Sequence, residues 1–254
     1  MKTMSRDVAA IVPAAGAGRR VGGTRNKLFH KVGGRPLLAQ TLRVLQESPA
    51  IRWIILVVRP EDRARMATLI RRYGITNALP PCAGGPSRAS SVARGFAVLP
   101  AEARWVLVHD AARPCVDRPL IERAVRAAKR QGAIACGLPA HLTVKAADAQ
   151  GAVRFTLDRE RLWFIQTPQV FRRDWFAQAL ARACLPSRPG RDRQADHPLE
   201  AFPDDVSLLE AAGFPVSLVA GDPWNLKVTT PEDLVLAEAI LQRRKSGQER
   251  SVVQ

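Results

Sequence analysis

The sequence predicts an α/β protein with a doubly wound, mostly parallel sheet and a projecting β-arm. Strand-like apolar runs alternate with amphipathic helical patterns along most of the 254 residues, and this alternation is typical of parallel sheets with helices on both faces. The alternation breaks over residues 139–160, where weak period-two patterning surrounds Gly151 as in a hairpin. We therefore expect a single domain over residues 1–244 and a frayed tail over 245–254.

The first half of the chain favours strands and helices in strict alternation. Helix 60–74 has the clearest boundaries, because Pro60 stands at its first position, acids follow in its first turn and Gly74 ends it. Strands are expected over residues 7–12, 51–58 and 103–110, and the other helices over 35–48, 87–99 and 117–132.

The second half continues this pattern after the arm. Residues 162–171 return to apolar structure, and the polar, proline-rich residues 186–203 are interpreted as a flexible loop. Thr230 is expected to cap a final helix that has Pro231 at its first position. Strands are expected over 133–138, 214–221 and 225–229, and helices over 172–185, 204–213 and 230–244.

The arm, residues 139–160, contains too few large apolar residues to pack by itself. An isolated hairpin is marginal in water, and twofold dimers are the commonest oligomers. We therefore expect the arm to pack against a second copy of the chain.

Composition excludes several classes of protein. The hydrophobic share of 46% argues against disorder, and no apolar stretch approaches the ~20 residues of a membrane span. The N-terminus lacks the apolar core of a signal peptide and fits a first strand. The cysteines at positions 82, 115, 136 and 184 show no zinc or redox spacing, which favours reduced thiols and a cytoplasmic location.

The net charge of +16 comes from 39 Lys and Arg against 23 Asp and Glu, and it raises the question of nucleic acid. Arginines are spread along the whole chain, however, and a single tyrosine leaves little for base stacking. We favour a mixture of two explanations, an arginine-rich proteome and a field that attracts small anionic substrates, over nucleic-acid binding. No membrane partner is expected.

A glycine-rich segment, residues 12–27, follows the first strand and carries the cations Arg19, Arg20, Arg25 and Lys27. It matches neither the dinucleotide fingerprint nor the Walker A motif. Its backbone N–H groups and cations suit a triphosphate. An ordinary strand-to-helix turn with solvated arginines stays open as the alternative.

Two further segments are expected at the same edge of the sheet. Residues 82–91 lead into a helix, and residues 109–114 follow a strand. Ligands of open α/β sheets bind beyond the carboxyl ends of the strands. The three segments together therefore predict one ligand site.

Motifs in these three segments and in the second half of the chain resemble those of a known family. In order, the sequence contains VPAAGAGRR, Lys27, SRASSV, HDAARP, LDR with TPQVF, and LKVTTPEDL. The chain resembles, along essentially its whole length, the 2-C-methyl-D-erythritol 4-phosphate cytidylyltransferases. The resemblance implies a Rossmann-like nucleotidyltransferase fold, Mg²⁺, a homodimer, and transfer of a cytidylyl group from CTP to methylerythritol phosphate with release of pyrophosphate.

The resemblance also implies roles for individual residues. Catalysis would involve Arg20, Lys27, Asp110 and Lys227, with Asp110 as the metal ligand. The nucleotide would be bound by Ala14, Ala15, Gly16, Gly18, Arg19, Gly84, Gly85, Arg88, Ser91 and Ala111. The acceptor would be bound by Arg113, Thr143, Arg159 and Lys227.

General chemistry agrees with this reaction. A phosphate monoester is already an anion, so its attack on phosphorus needs cations and a metal more than a general base. His109 is therefore interpreted as a packing or hydrogen-bonding residue beside Asp110. Leu142 and Pro203 differ from the family's usual Asp and Thr, so ribitol 5-phosphate stays open as the acceptor. A non-catalytic nucleic-acid-binding protein on the same fold is the more distant alternative.

Overall fold

The computed structural model describes residues 6–16, 26–183 and 199–246. Residues 186–198 of the predicted loop and residues 247–254 of the predicted tail lie outside this part of the chain. Among the described residues, no helix combines the length and the apolar character that a bilayer crossing requires.

Strands and helices alternate along the described residues. The strands are β1 (Val8–Pro13), β2 (Lys31–Val32), β3 (Arg35–Pro36), β4 (Ile51–Val58), β5 (Cys82–Ala83), β6 (Trp105–Val108), β7 (Ala133–Pro139), β8 (Val144–Ala147), β9 (Val153–Leu157), β10 (Trp163–Arg172) and β11 (Ser217–Ala220). The α-helices are α1 (Leu37–Glu47), α2 (Arg63–Arg72), α3 (Arg88–Ala97), α4 (Arg118–Gln131), α5 (Arg173–Ala183), α6 (Asp205–Ala211) and α7 (Pro231–Lys245). Single 3₁₀ turns lie at Lys27–Phe29, Pro60–Asp62, Arg159–Arg161 and Leu199–Ala201.

Seven strands form one mixed sheet in the order β11-β7-β10-β6-β1-β4-β5. Strand β1 lies near the centre and pairs in parallel with β4 and β6, while β10 runs antiparallel to β6 and β7. The predicted doubly wound, mostly parallel sheet is confirmed.

Alternate residues of β1 pack into two cores, one on each face of the sheet. Val8, Ala10 and Val12 belong to a core shared with α1, α2, α4 and α7. Ala9 and Ile11 belong to a core shared with α3, α5 and α6. Burial on both faces explains why this strand is a continuous apolar run and not an alternating one.

The predicted helix signals are found at the ends of α4 and α7. Oδ1 of Asp117 accepts the N–H of Leu120 at 2.9 Å, and Gly132 ends α4 with a φ of 93°. Thr230 caps α7, in which Pro231 is the first residue. These caps satisfy backbone groups that the terminal turns leave unpaired, so the helices begin where the sequence predicts.

The predicted arm is an antiparallel hairpin of β8 and β9. Oδ1 of Asp148 accepts the N–H groups of Gln150 at 3.1 Å and Ala152 at 2.8 Å, and Gly151 has a φ of 84° that favours glycine. Every residue of β9 is exposed. The exposed apolar side chains on and beside the arm include Leu142, Val153, Phe155 and Phe164.

Several details differ from the predictions. Arg35 and Pro36, expected in the helix over 35–48, form strand β3 and pair with β2. Residues 225–229 form no strand, because they run outside the sheet, where the N–H of Val228 donates to the carbonyl of Ala112 at 2.8 Å. Helix 60–74 begins as a 3₁₀ turn. Helix α7 includes Lys245, which the sequence pattern assigned to the tail.

Candidate active site

The three segments predicted to converge line one cavity of about 520 Å³ beyond the carboxyl ends of β1, β5 and β6. The predicted site residues that line it are Ala14, Ala15, Gly16, Lys27, Gly85, Arg88, Ser91, Asp110, Ala111 and Lys227. Gly18, Arg19 and Arg20 lie outside the described residues.

The loop after β1 and the segment after β5 lie against each other. The N–H of Ala14 donates to the carbonyl of Val57, and the N–H of Gly84 donates to the carbonyl of Val58, both at 2.7 Å. A Cβ atom on Gly84 would lie 2.5 Å from Cβ of Ala15, an overlap that only glycine avoids. The absence of a side chain at Gly84 therefore lets the two walls of the cavity meet.

Helix α3 begins at this wall, with Ser87 as its N-cap. Oγ of Ser91 donates to the carbonyl of Ser87 at 2.8 Å and accepts the N–H of Gly85 at 3.1 Å. The N–H of Ser87 donates to Oγ of Ser90 at 2.8 Å. Pro86 has no N–H, and the amides of Gly84, Gly85 and Ser87 are bonded within the chain. Residues 84–87 can therefore contact a ligand through backbone carbonyl oxygens but not through backbone amides.

Asp110 is the centre of a cluster of charged residues after β6. Its Oδ2 lies 2.8 Å from Nζ of Lys227 and 3.6 Å from Nε of Arg113, and its Oδ1 lies 3.3 Å from Nε of Arg88. Nη2 of Arg88 also lies 2.8 Å from Oδ2 of Asp205. Three cations thus face two carboxylates, and the resulting positive charge suits an anionic ligand.

The cluster fixes the protonation of its members. Burial alone would raise the pKa of Asp110, but the surrounding cations, Lys227 most strongly, hold it well below its usual range. Burial, followed by the charge of Arg113, lowers the pKa of His109 to about 4. At neutral pH Asp110 is therefore an anion and His109 is uncharged.

His109 lies behind Asp110 and does not line the cavity among the residues described. Its Nδ1 is 3.1 Å from Oγ1 of Thr167, and its Nε2 is 3.4 Å from the carbonyl of Arg113. Oγ1 of Thr167 also accepts the N–H of Asp110 at 3.0 Å. This arrangement agrees with the interpretation of His109 as a packing and hydrogen-bonding residue.

The segment that precedes α7 carries Lys227 into the cavity. Asn225 is fully buried, and its Nδ2 donates to the carbonyl of Thr167 at 2.7 Å, which anchors the chain just before Lys227. Nζ of Lys27 donates to the carbonyl of Val228 at 2.8 Å. The two lysines, one near each end of the chain, therefore reach the same side of the cavity.

The predicted acceptor residues other than Lys227 are dispersed in the single chain. Arg113 is buried, and its Nη1 donates to the carbonyl of Asn225 at 2.7 Å. Thr143 and Arg159 are exposed on the arm, where Nη1 of Arg159 donates to the carbonyl of His141 at 2.8 Å. None of these three predicted residues is among the described residues that line the cavity.

The described parts of the chain contain no group of three or more His, Cys, Asp or Glu side chains that could hold a metal ion. Mg²⁺ is commonly held by one or two carboxylates together with the phosphate oxygens of a nucleotide. Asp110 is an anionic carboxylate at the cavity and suits that arrangement, provided that Lys227 moves away from Oδ2 of Asp110. The residues thus fit a Mg²⁺ ion that binds together with a nucleotide.

Asp205, Asn225 and Thr167 contribute to the site although sequence reasoning assigned them no role there. Each acts on a residue far away in the chain: Asp205 contacts Arg88 across 117 positions, and Thr167 contacts Asp110 across 57. The only local signal is a threonine within the apolar run 162–171.

A cavity at the carboxyl ends of parallel strands, a loop of small residues and cations clustered on a carboxylate define a nucleotidyltransferase of the α/β class. The chain belongs to the 2-C-methyl-D-erythritol 4-phosphate cytidylyltransferase family, whose model matches residues 8–243. It is therefore an enzyme that transfers a cytidylyl group from CTP to methylerythritol phosphate, and the product is CDP-methylerythritol. The predicted family and reaction are confirmed, and methylerythritol phosphate is favoured over ribitol 5-phosphate.

Similar proteins match the chain over nearly its whole length. It is 38% identical over 239 residues to the 2-C-methyl-D-erythritol 4-phosphate cytidylyltransferase of Desulforamulus reducens, with 94% of this chain and 97% of that protein covered. The crystal structure of 4-diphosphocytidyl-2C-methyl-D-erythritol synthase from Anaerococcus prevotii has a TM-score of 0.78 at 29% identity, covering 94% and 99% of the two chains. The crystal structure of the Thermus thermophilus cytidylyltransferase has a TM-score of 0.70 at 33% identity, covering 93% and 99%.

Proposed function

We propose that the cavity binds CTP with its triphosphate against the loop after β1 and its cytidine against the start of α3. The observation that carries this proposal is the Asp110 cluster, in which three cations contact one carboxylate and two of them, Arg88 and Lys227, line the same cavity as that loop. Lys27 reaches the same region through its bond to Val228. Gly18, Arg19 and Arg20 complete the triphosphate site by resemblance.

The cytidine end of the site is proposed to involve Gly84, Gly85, Ser91 and Ala111. The amides of Gly84 and Gly85 already have partners within the chain. The carbonyl oxygens next to Pro86 are therefore suited to accept the 4-amino group of cytosine, a donor that uracil lacks.

The proposed reaction is a direct displacement at phosphorus. A phosphate oxygen of methylerythritol phosphate attacks the α-phosphorus of CTP, the bond to the bridging oxygen of the β-phosphate breaks, and pyrophosphate leaves with the electron pair. No side chain has to remove a proton, because the attacking phosphate is already anionic. Lys27, Lys227 and Arg20 would stabilise the charge that grows on the phosphate oxygens.

We propose Mg²⁺ as the metal, with Asp110 as its protein ligand. When bound, the ion would neutralise and orient the phosphates of the nucleotide. The contact with Lys227 at 2.8 Å holds the carboxylate in place beforehand. Turnover should stop in excess EDTA and return with Mg²⁺, and full turnover in EDTA would exclude this part of the proposal.

We propose that the protein is a homodimer in which the arm of one chain completes the cavity of the other. Thr143 and Arg159 would then contact the acceptor, together with Arg113 and Lys227. The support is the exposed apolar surface of the arm, where Phe155 keeps 57% exposure in the single chain. Covering such a surface in a partner contact is favourable, whereas a hairpin that packs on nothing is marginal.

A cytoplasmic location is proposed from the cysteines. Cys82, Cys115 and Cys136 are unpaired, and burial raises the pKa of the Cys115 and Cys136 thiols to about 12. Such inert thiols are typical of a reducing compartment.

The shared site is tested by mixing two inactive variants, Lys27→Ala and Arg159→Ala, after reversible dissociation. Half of the randomly formed dimers are mixed, and in these one site carries both lesions and the other carries neither. About a quarter of wild-type activity should therefore return. Arg154→Ala is the matched control, because Arg154 lies on the same arm and pairs with Asp148. This control should stay active alone, and a mixture that recovers no activity would contradict the shared site.

A further inference from the structure

The guanidinium of Arg88 lies between two carboxylates at the cavity wall. Its Nε contacts Oδ1 of Asp110 at 3.3 Å, and its Nη2 contacts Oδ2 of Asp205 at 2.8 Å. Asp110 lines the cavity, but Asp205 is not among the described residues that do so. Asp205 is only 4% exposed, so it reaches a bound ligand only through Arg88.

A dedicated set of hydrogen bonds holds Asp205 in this place. Oε1 of Gln169, a buried residue of β10, accepts the N–H groups of Asp205 at 3.0 Å and Val206 at 3.2 Å. Nε2 of Gln169 donates to Oδ2 of Asp204 at 2.8 Å. Asp204 in turn caps α6 through the N–H of Ser207 at 2.9 Å. The start of α6 is thus tied to the sheet at the point where Asp205 meets Arg88.

Stability alone is a weak reason for this pair, in which Asp205 is buried and Arg88 is partly buried. Desolvation of two charges often cancels their attraction, and apolar residues of similar size commonly stabilise a fold as well or better. The pair does one thing that apolar residues cannot do. Because Arg113 and Lys227 share Asp110 with Arg88, a ligand that moves this carboxylate or takes its Oδ1 would release Arg88 unless Asp205 held it.

We infer that Asp205 is a positioning residue for cytidylyl transfer, which fixes the guanidinium of Arg88 at the nucleotide wall while Asp110 changes partners. The inference rests on the proposed function of the cavity as the CTP site. Arg88 then keeps one orientation in the free and the loaded enzyme. Its side chain is 29% exposed and lines the cavity, so its orientation affects how tightly CTP binds.

The test compares Asp205→Asn with Asp204→Asn, each in the wild-type and the Arg88→Ala background. Asp205→Asn should raise the KM for CTP about tenfold, the scale of one lost charge-assisted hydrogen bond, with a smaller change in kcat. Asp204→Asn removes a neighbouring charge and alters the helix cap and the acceptor of Gln169 Nε2, but it does not contact Arg88, and its KM for CTP should change less than about twofold. In the Arg88→Ala background Asp205→Asn should have almost no further effect, because the residue acts through Arg88.

A second variant keeps the test decisive if Asp205→Asn does not fold. Gln169→Met removes the amide that holds the backbone of Asp205 and leaves every charge in place, and it should raise the same KM, again only when Arg88 is present. Equal effects in both backgrounds, or an unchanged KM in both variants, would overturn the inference. Wild-type turnover of CTP tests the proposed function separately. If turnover is absent, the dissociation constant of CTP is measured by equilibrium binding and replaces KM in the same comparisons between variants.

Discussion

Asp110→Asn should destabilise the protein without changing its shape, because Asn has nearly the same volume and no charge. The three cations around the carboxylate differ in how much stabilisation they lose when its charge is removed. Lys227 is 41% exposed and regains water, and Arg88 keeps Asp205 at 2.8 Å. The side chain of Arg113 is only 10% exposed, so it suffers most from the loss of the carboxylate.

The expected loss in the free energy of unfolding follows from how well each of the three cations is compensated. Removal of one partner of a buried ion pair costs about 3–5 kcal/mol when the remaining charge has no compensation. Two of the three cations here retain water or a second carboxylate, so we expect a loss of about 2–3 kcal/mol in the free energy of unfolding. For a chain of this size that loss corresponds to a decrease in Tm of roughly 4–12 °C.

Denaturant unfolding of wild type and Asp110→Asn as a function of pH measures this loss. The pKa of Asp110 is lower in the folded than in the unfolded protein, so its stabilisation is complete above the unfolded value of about 3.9 and is lost as the pH falls toward the folded value. The stability gap between the two proteins should therefore be constant near neutral pH. Below about pH 4 it should shrink, by up to about 1.4 kcal/mol per pH unit.

Two results would refute this reasoning about Asp110. One is a variant as stable as wild type at neutral pH, which would mean that the three cations are satisfied without the carboxylate. The other is a gap that widens below about pH 4, because a carboxylate with a lowered pKa can only lose its advantage there.

Three other predictions concern turnover. Lys27→Ala should lower kcat roughly 10²–10³-fold with little change in Tm. The control Lys31→Ala changes an exposed neighbour and should keep nearly the wild-type kcat. Near-wild-type turnover of Lys27→Ala would show that Lys27 does not stabilise the transition state. CTP should be preferred over UTP, ATP and GTP in a pyrophosphate-release assay, and equal turnover of UTP would contradict base recognition near Pro86. Activity should fall near pH ~6, where a phosphate monoester gains its second proton, and His109→Gln should leave that midpoint unchanged; a shifted midpoint would make His109 a participant.

The architecture was predictable where each element leaves a local pattern in the sequence. Strand β1 is apolar at every position because both of its faces are buried. Helix α4 is bounded by Asp117 and Gly132, both of which are ordinary boundary signals. The position of the cavity was predictable as well, since turns that follow parallel strands meet at one edge of the sheet.

The rest depends on contacts that leave no local pattern. An apolar run such as β10 looks the same whichever way it lies in the sheet, so its antiparallel direction was not predicted. Residues 225–229 resemble a strand, yet bonds to separate neighbours, such as Thr167 and Ala112, hold them outside the sheet. The contact between Arg88 and Asp205 spans 117 positions, and either residue alone looks like an ordinary helix-terminal charge.

The bond between Lys27 and the carbonyl of Val228 has a consequence for the order in which the protein matures on the ribosome. All seven strands of the sheet have been synthesised once Ala220 has emerged. A nascent chain of that length has every strand but neither Lys227 nor the carbonyl that holds Lys27. Lys227 and the Val228 carbonyl therefore join the cavity only after the whole sheet has been synthesised, so a nascent chain that ends at Ala220 has the sheet without the full set of contacts around Asp110 and Lys27.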